Sequence, residues 1–280
     1  MKIKFTSDST CDLSREQIER HGITILPLSV AMGGKDYRDG VDICPADIYA
    51  HVSGGGDLPK TAANNIAQYQ ESWEEFARAY DAVIHLNISA EFSSCYQNAR
   101  LAAEEFDNVY VVDSRNLSTG HGLLVLKGIE LANQGMAAAE IAQVLRESVD
   151  KVRASFILDQ LEYLKKGGRC SALAALGANL LKLKPCIEVK DGKMGVAKKY
   201  RGAYEKCMKE YIADQLKDRT DLDLRQVFIT HSGIDETLVQ TAVETVKALQ
   251  PFENLTVTTA GCTVSSHCGP GTMGVLFMTK

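Results

Sequence analysis

The feature that most constrains the fold is a regular alternation, over the first 150 residues, of short apolar segments with segments of helical pattern. The apolar runs "AVIHLNI" and "VYVVD" are followed by the helix-like stretches "SCYQNARLAAEEF" and "GLLVLKGIELANQ". Such alternation is typical of a parallel sheet that is flanked by helices. We therefore predict an α/β fold whose first domain, residues 1–150, is a parallel-sheet α/β/α domain.

Local signals in this region predict where individual elements begin and end. Ser14 and Gln17 have the spacing of a capping box for the first helix, and Gly22 is placed to end it. The segment from "ITILPLSVAM" to "GGKDYRDGVDI" contains glycine-bearing turns and predicts one or two strands inserted into the alternation. Pro45 predicts the start of another helix.

The pattern changes beyond about residue 150, and we predict a second, α+β domain over residues 151–280. The segment "CIEVKDGKMGVAKKY" predicts a hairpin that turns at Asp191 and Gly192, a dipeptide suited to a type I′ turn. Helices are predicted near residues 204–217 and 236–249, between strands such as "QVFITHS" and "LTVTTA". Hairpins mixed with helices favour an α+β domain packed against the first.

Composition excludes several classes of function. A net charge of -5 argues against a nucleic-acid partner, because phosphate binding needs a basic surface. The first residues lack the apolar core of a signal peptide, and no window approaches a membrane-spanning length, so we expect a cytoplasmic protein without stable membrane insertion. The eight cysteines form no CxxC pair, which predicts reduced thiols, no metal site and no cofactor.

Polar residues follow three of the predicted N-terminal strands. Asp8, Ser93 and Asp113 each stand at or just beyond a strand end, where open parallel sheets bind ligands. We therefore expect these side chains to face one crevice. The alternative is that each of them only caps the helix that follows.

Two enzyme classes can be formulated from these residues. Ser93, Asp113 and His267 occur in the order of an α/β-hydrolase triad, but Ser93 lies in "EFSSC" rather than in a GxSxG elbow. Asp8 follows the first strand as the nucleophile of an aspartyl phosphatase would, but Thr10 stands where a second acid is needed. The alternative function is thus a hydrolase or phosphatase acting at Ser93 or Asp8 on a small ester or phosphate.

A binding site without catalysis uses the same residues differently. Thr61 and Ser93 offer hydroxyl groups, and His267 offers a ring nitrogen, all of which can donate hydrogen bonds to an anion. His267 lies in "TVSSHCGPGTMGV", whose glycines allow tight bends that bring N–H groups together, although a plain loop with a solvated histidine is the simpler interpretation. Aliphatic helices around such a site would suit a carboxylate with an apolar tail.

Motifs distributed along nearly the whole chain resemble those of the DegV family, bacterial fatty-acid-binding proteins of which some are carrier subunits of a fatty acid kinase. The matching segments are "TSDSTCDL" (6–13), "GGKDYRDGVDI" (33–43), "KTA" from Lys60, "ISAEFSSCYQNA" (88–99), "VVDSRNLSTGHGLLV" (111–125), "LEYLKKGGR" (161–169), "LKLKPCIEVKDGK" (181–193) and "SSHCGPGTMGVLF" (265–277).

The resemblance implies a protein with no catalysis of its own. It implies a long-chain fatty acid bound between the two domains, with the tail inside the first domain and the carboxylate presented to a partner kinase that makes the acyl phosphate. By the family's motifs, the carboxylate contacts would fall on Thr61, Ser93 with the adjacent Ser94, and His267. Arg201 matches an arginine near the head group, and Arg169 matches one that faces the kinase.

The chain departs from the family pattern at three places. "TAANN" stands where "TSQPS" is common, Glu91 and Phe92 are placed beside the expected carboxylate site, and Cys268 replaces a threonine after the histidine. A carboxylate at Glu91 would repel that of the ligand by roughly 1 kcal/mol if both were solvated. Glu91 is also suited to a solvated position at a helix N-terminus.

Overall fold

A computed structural model describes residues 1–171 and 183–280 of the chain. Its strands are β1 (Ile3–Asp8), β2 (Thr24–Leu26), β3 (Ser29–Met32), β4 (Lys35–Arg38), β5 (Lys60–Ala62), β6 (Ala82–Asn87), β7 (Val109–Asp113), β8 (Val152–Ile157), β9 (Leu183–Lys190), β10 (Lys193–Arg201), β11 (Leu222–Ser232), β12 (Leu255–Thr259) and β13 (Thr272–Thr279). Its α-helices are α1 (Arg15–His21), α2 (Pro45–Ser53), α3 (Ile66–Ala79), α4 (Cys95–Ala103), α5 (Ser118–Asn133), α6 (Ala138–Ser148), α7 (Glu162–Gly167), α8 (Tyr204–Leu216), α9 (Glu236–Leu249) and α10 (Cys262–Cys268).

The first domain contains a parallel sheet with the strand order β2-β1-β6-β7. Every residue of β6 is buried, as expected for a central strand covered by helices on both faces. The capping box of Ser14 and Gln17 is present at the start of α1, and Gly22 ends that helix with a positive φ of 60°. The predicted α/β/α arrangement of this domain is confirmed.

The inserted segment forms a small antiparallel sheet with the order β4-β3-β5. Asp39 follows β4, and its backbone N–H donates to the carbonyl of Leu28 at 2.9 Å. The helix predicted at Pro45 is α2. This sheet places Thr61, on β5, at the border with the second domain.

The second domain contains a mixed sheet with the order β10-β9-β8-β13-β11-β12, in which only β11 and β12 pair in parallel. The hairpin β9–β10 turns at Asp191 (φ 51°) and Gly192 (φ 77°), the two positive φ angles that a type I′ turn requires. Residues 181 and 182 of the motif "LKLKPCIEVKDGK" lie outside the described residues.

Helix α5 joins the two sheets. Leu124 of α5 belongs to one apolar core with Phe5 of β1, Leu145 of α6, and Phe228 and Leu276 of the second sheet. The division at residue 150 stays a prediction, because this core extends across it. Among the described residues, no helix combines the length and the apolarity needed to span a bilayer.

The loop interpretation of the stretch around His267 is wrong in its first half. Residues 262–268 form helix α10, and the tight bends begin only at Gly269 (φ 74°) and Gly271 (φ 76°). The sequence "CTVSSHC" consists of residues with modest helix propensity, so periodicity gives no signal for it. Contacts with the rest of the protein stabilise this helix instead.

Candidate functional site

A cavity of about 300 Å³ lies between the two domains. Its apolar wall comes from Leu28, Ile88 and Phe92 of the first domain and from Met194 and Val264 of the second. The other described residues that line it are Thr61, Ala62, Ala63, Ser93, Ser94, Leu117, Arg169, Thr263, His267 and Cys268. The structure therefore brings five of the six predicted site residues to one cavity.

Thr61 and His267 meet across the domain border. The hydroxyl oxygen of Thr61 on β5 lies 2.8 Å from Nε2 of His267 on α10. With the ring proton on Nε2, the histidine donates to Thr61, whose own hydroxyl hydrogen is then free to point into the cavity. One residue from each domain thus forms a single hydrogen-bonding unit.

The imidazole of His267 is tightly enclosed. Burial, with the positive charge of Arg169 as a smaller cause, lowers the pKa of His267 to about 4, so the ring is neutral near pH 7. On its other side the ring packs against Gly167, where a Cβ would lie only 2.5 Å from Nδ1. Nδ1 has no hydrogen-bond partner among the described residues, which favours the tautomer protonated at Nε2.

Ser93 and Ser94 stand immediately before α4, with Ser94 as its N-cap residue. The Ser93 hydroxyl lies 3.0 Å from Sγ of Cys95 and accepts from the Cys95 backbone N–H at 3.3 Å. The first N–H groups of a helix have no partner within the helix and favour negative charge nearby. This end of the cavity lining therefore suits an anion.

The carboxylates of Asp8 and Asp113 hold the loop that leads to these serines. Asp8 is fully buried and accepts from the backbone N–H of Ile88 at 2.8 Å, whereas Asp113 accepts from Ala90 at 3.2 Å and from Arg115 at 2.9 Å. Neither residue lines the cavity. The expectation of a crevice shared by Asp8, Ser93 and Asp113 is thus wrong for the two aspartates, whose oxygens are used to fix backbone.

The two candidate arginines lie in different places. Arg169 lines the cavity, and its Nη1 donates to the carbonyl of Gly167 at 2.8 Å. Arg201 is exposed at the end of β10 and does not line the cavity, so the structure does not place it beside the head-group site. The predicted role of Arg201 is corrected accordingly, because the β10 strand carries it to the opposite end of the hairpin from the Gly192 turn.

Thr61, Ala62 and Ala63 of the "TAANN" segment line the cavity, whereas Glu91 and the two asparagines of that segment have other roles. Nζ of Lys193, on the hairpin, lies 3.5 Å from a carboxylate oxygen of Glu91, which is exposed and does not line the cavity. Asn65 caps α3 with a capping box, and the carbonyl of Asn64 accepts from Asn98 at 2.8 Å. Among the described lining residues, these departures from the family pattern therefore add no acidic group to the polar part of the cavity.

The geometry does not assemble the hydrolase triad. Within the described ranges, no hydrogen bond joins Ser93 to His267 or His267 to Asp113, since the histidine contacts Thr61. The hydroxyl of Thr10 donates to the buried carboxylate of Asp8 at 2.5 Å. Residues 1–171 and 183–280 contain no group of three or more acidic, histidine or cysteine side chains suited to a metal ion.

Sequence reasoning missed residues that shape this site. Thr263 lines the cavity from α10, and no pattern pointed to it because the helix itself was not predicted. Cys268 lines the cavity from the same helix and was noted only as a departure from the family pattern. Gly167 closes the back of the His267 ring. The sequence signal for Gly167 is the glycine pair in the motif "LEYLKKGGR", since paired glycines indicate close approach of another group.

Comparison with known proteins gives a consistent result. A family model described as "Uncharacterised protein, DegV family" matches residues 2–280. A DegV domain-containing protein of Caldanaerobacter subterraneus subsp. tengcongensis is 32% identical over 285 residues, covering 100% of this chain and 99% of the relative.

Solved structures are similar over the whole chain. One is the structure of a DegV family protein from Thermus thermophilus that shows its fatty acid binding. Its sequence is 30% identical to this chain, with a TM-score of 0.90 and 100% of each chain covered. A stearic-acid-binding protein from Eubacterium ventriosum is 28% identical, with a TM-score of 0.83, covering 99% of this chain and 98% of the other.

Proposed function

This chain belongs to the DegV family, and on that premise we propose that it binds a long-chain fatty acid in the cavity between its two domains. The observation that carries the proposal is that hydrogen-bonding groups and apolar side chains line the same cavity. Thr61, Ser93 and His267 supply hydrogen-bonding groups, while Leu28, Phe92 and Met194 supply apolar wall. The binding of fatty acids by similar structures supports the same ligand class.

The free energy of binding would come mainly from the acyl tail. Each buried methylene contributes about 0.8 kcal/mol, so a sixteen-carbon chain gains roughly 10 kcal/mol before the cost of ordering it. Hydrogen bonds to the charged carboxylate add about 1.5 to 3 kcal/mol each in gross terms. The tail therefore sets affinity, and the polar groups set the orientation of the ligand.

The carboxylate would be received by groups that require no change of protonation. Neutral His267 donates to Thr61, and the Thr61 hydroxyl donates in turn to the ligand. Ser93 and Ser94 contribute hydroxyls at the N-terminus of α4, and the Arg169 guanidinium contributes positive charge. This arrangement leaves the head group near the exposed Ser94.

We further propose that the protein is a cytoplasmic carrier that presents the carboxylate to a partner kinase, without catalysis of its own. Arg169 lies on both the cavity wall and the protein surface, so it is suited to meet a kinase at the head group. Formation of the acyl phosphate then takes place on the partner, while the tail stays shielded from water.

Mass spectrometry of the small molecules released by denaturing the purified protein tests the proposal. A fatty acid at near one-to-one stoichiometry is the expected result, and it also identifies the preferred chain. A phosphorylated metabolite, or no lipid after exposure to a fatty acid mixture, would contradict it. Turnover of an acyl ester or a phosphate ester by the purified protein would instead favour a hydrolase or phosphatase.

A further inference from the structure

Two aspartates of the first domain bind the start of helix α10, which belongs to the second domain. Asp39 accepts from the backbone N–H groups of Cys262 at 2.7 Å and Thr263 at 3.0 Å. Asp12 accepts from the N–H of Gly261, the N-cap residue, at 2.8 Å. Both aspartates lie in motifs that the proposed ligand contacts do not use, "TSDSTCDL" and "GGKDYRDGVDI".

Asp39 is held rigidly in this position. Its side chain is only 3% exposed, and the Ser9 hydroxyl donates to the carboxylate oxygen that Thr263 also uses, at 2.9 Å. The backbone N–H of Asp39 is bonded to Leu28, which lines the cavity. A buried carboxylate with three donors keeps its geometry, because each lost bond would leave a buried polar group unsatisfied.

Helix α10 depends on these contacts. It has seven residues, too few for a helix to be stable alone, and its residues have modest helix propensity. Four of its residues, namely Thr263, Val264, His267 and Cys268, line the cavity. A shift of its first turn therefore carries the His267 ring, one turn further on, away from Thr61.

We infer that Asp39 is a positioning residue for ligand recognition, which fixes α10 so that His267 meets Thr61, whose hydroxyl receives the ligand carboxylate. This inference rests on the proposed function, because the carboxylate it serves is that of the fatty acid. It assigns to the motif "GGKDYRDGVDI" the role of holding a helix of the other domain. Asp39 itself touches neither the cavity nor the ligand.

A mutant cycle separates positioning from simple stabilisation. Asp39→Asn keeps the size of the side chain but replaces one acceptor oxygen by an NH2 group that faces a backbone N–H. Binding of radiolabelled stearic acid to the full chain is measured for Asp39→Asn alone, His267→Ala alone and the double variant. Asp42→Asn is the matched control, because Asp42 is a surface residue of the same motif that pairs with Arg38 at 2.8 Å.

We expect Asp39→Asn to weaken stearic acid binding about fivefold when His267 is present, no more than His267→Ala itself does, and less than about twofold in the His267→Ala background. An equal loss in both backgrounds would overturn the inference, because Asp39 would then act on the cavity wall rather than through His267. Asp42→Asn should leave binding unchanged in both backgrounds.

A second measurement needs no ligand. Burial lowers the pKa of His267 to about 4 in the native protein, and in Asp39→Asn this pKa should rise towards 6.5 as the ring becomes solvated. An unchanged titration would also overturn the inference. If the native protein binds no stearic acid, the proposed function fails, whereas this titration still decides whether Asp39 positions the ring.

Ser9→Ala provides a milder variant if Asp39→Asn does not fold. It removes one of the three bonds to the Asp39 carboxylate and leaves both N–H groups of α10 with their acceptor. It also removes the acceptor of the Leu28 backbone N–H, at 3.1 Å, so a small part of its effect acts on the cavity wall. We expect a smaller loss of stearic acid binding, most of which disappears in the His267→Ala background. Persistence of the full loss there would overturn the inference.

Discussion

The hydroxyl of Ser89 donates to the carbonyl oxygen of Gly192 at 2.8 Å, which attaches the tip of the β9–β10 hairpin to the first domain. The Arg115 guanidinium donates to the carbonyl of Asp191 beside it, and Lys193 pairs with Glu91. The same hairpin carries Met194, which lines the cavity. The hairpin tip thus holds one wall of the cavity in place.

Gly192→Ala should loosen this wall. Gly192 has a φ of 77°, and a Cβ would lie 2.8 Å from the Ser89 hydroxyl, so the substitution strains the backbone and displaces the tip. We expect a loss of about 1–2 kcal/mol in the free energy of unfolding and faster release of bound fatty acid. Urea unfolding and a dissociation assay measure the two effects.

Gly34→Ala is the matched control for this change. Gly34 has the same φ of 77° but no atom within 4 Å of its Cβ position. It should lose similar stability and release the ligand at the native rate. Equal release rates in the two variants would show that the hairpin tip does not control access.

Thr61→Val should weaken fatty acid binding about tenfold, because it removes the hydroxyl that joins His267 to the ligand while nearly preserving side-chain shape. Binding is measured by equilibrium titration with a single fatty acid. Thr241→Val, at a half-buried position of α9 outside the cavity lining, serves as the control and should leave affinity unchanged. If Thr61→Val binds the fatty acid as tightly as the native protein does, Thr61 does not contact the ligand carboxylate.

If the proposed function is right, His267→Ala should weaken fatty acid binding only modestly and mainly impair transfer to a partner kinase, since the buried tail supplies most of the affinity. The amount of lipid that the purified variant retains measures binding, and the rate at which a partner kinase phosphorylates that lipid measures transfer. Complete loss of lipid would show that the head group, rather than the tail, dominates the free energy of binding.

Arg169→Ala should reduce phosphorylation by a partner kinase more than it reduces fatty acid binding. It also removes a positive charge that lowers the pKa of His267, so the titration of that ring should move upwards. Arg201→Ala is the matched control, because Arg201 is exposed and lies outside the cavity lining. Equal effects of the two substitutions would argue against a special role for Arg169.

Local signals in the sequence predicted most of the framework. The capping box at Ser14, the turn at Asp191 and Gly192, and the helix start at Pro45 depend on neighbouring residues alone, so each could be read from a short segment. The role of Asp8 could not be predicted from a short segment in this way. Its carboxylate bonds to Ile88, 80 positions away, and only the tertiary fold decides whether a strand-end aspartate faces a ligand or the backbone.

The candidate site was predictable in outline from residue chemistry and in more detail from family motifs. Those motifs pointed to Thr61, Ser93 and His267, which the fold brings to one cavity, but they misplaced Arg201. Helix α10 escaped prediction because its stability comes from Asp12 and Asp39, which contact it from more than 200 positions away. Periodicity within seven residues carries no information about such caps.

Asp12→Asn should make the protein more stable at neutral and alkaline pH. Burial, reinforced by the negative charges of Asp39 and Asp8, raises the pKa of Asp12 to about 8. An elevated carboxyl pKa means that the native state holds a proton which the unfolded state releases near pH 4. The stability linked to that proton is complete below about pH 4 and is lost as the pH rises to about 8.

The native protein should therefore lose stability with rising pH, by at most about 1.4 kcal/mol per pH unit for this one proton. Asparagine mimics the protonated acid, because its carbonyl oxygen can accept from Gly261 and its amide can donate to the Ser118 hydroxyl. Urea unfolding at several pH values between about 5 and 8 should then show a higher free energy of unfolding for Asp12→Asn than for the native protein, and this difference should increase with pH. The free energy of unfolding of Asp42→Asn should depend on pH as that of the native protein does. A difference between Asp12→Asn and the native protein that does not change with pH would mean that Asp12 is ionised throughout this range.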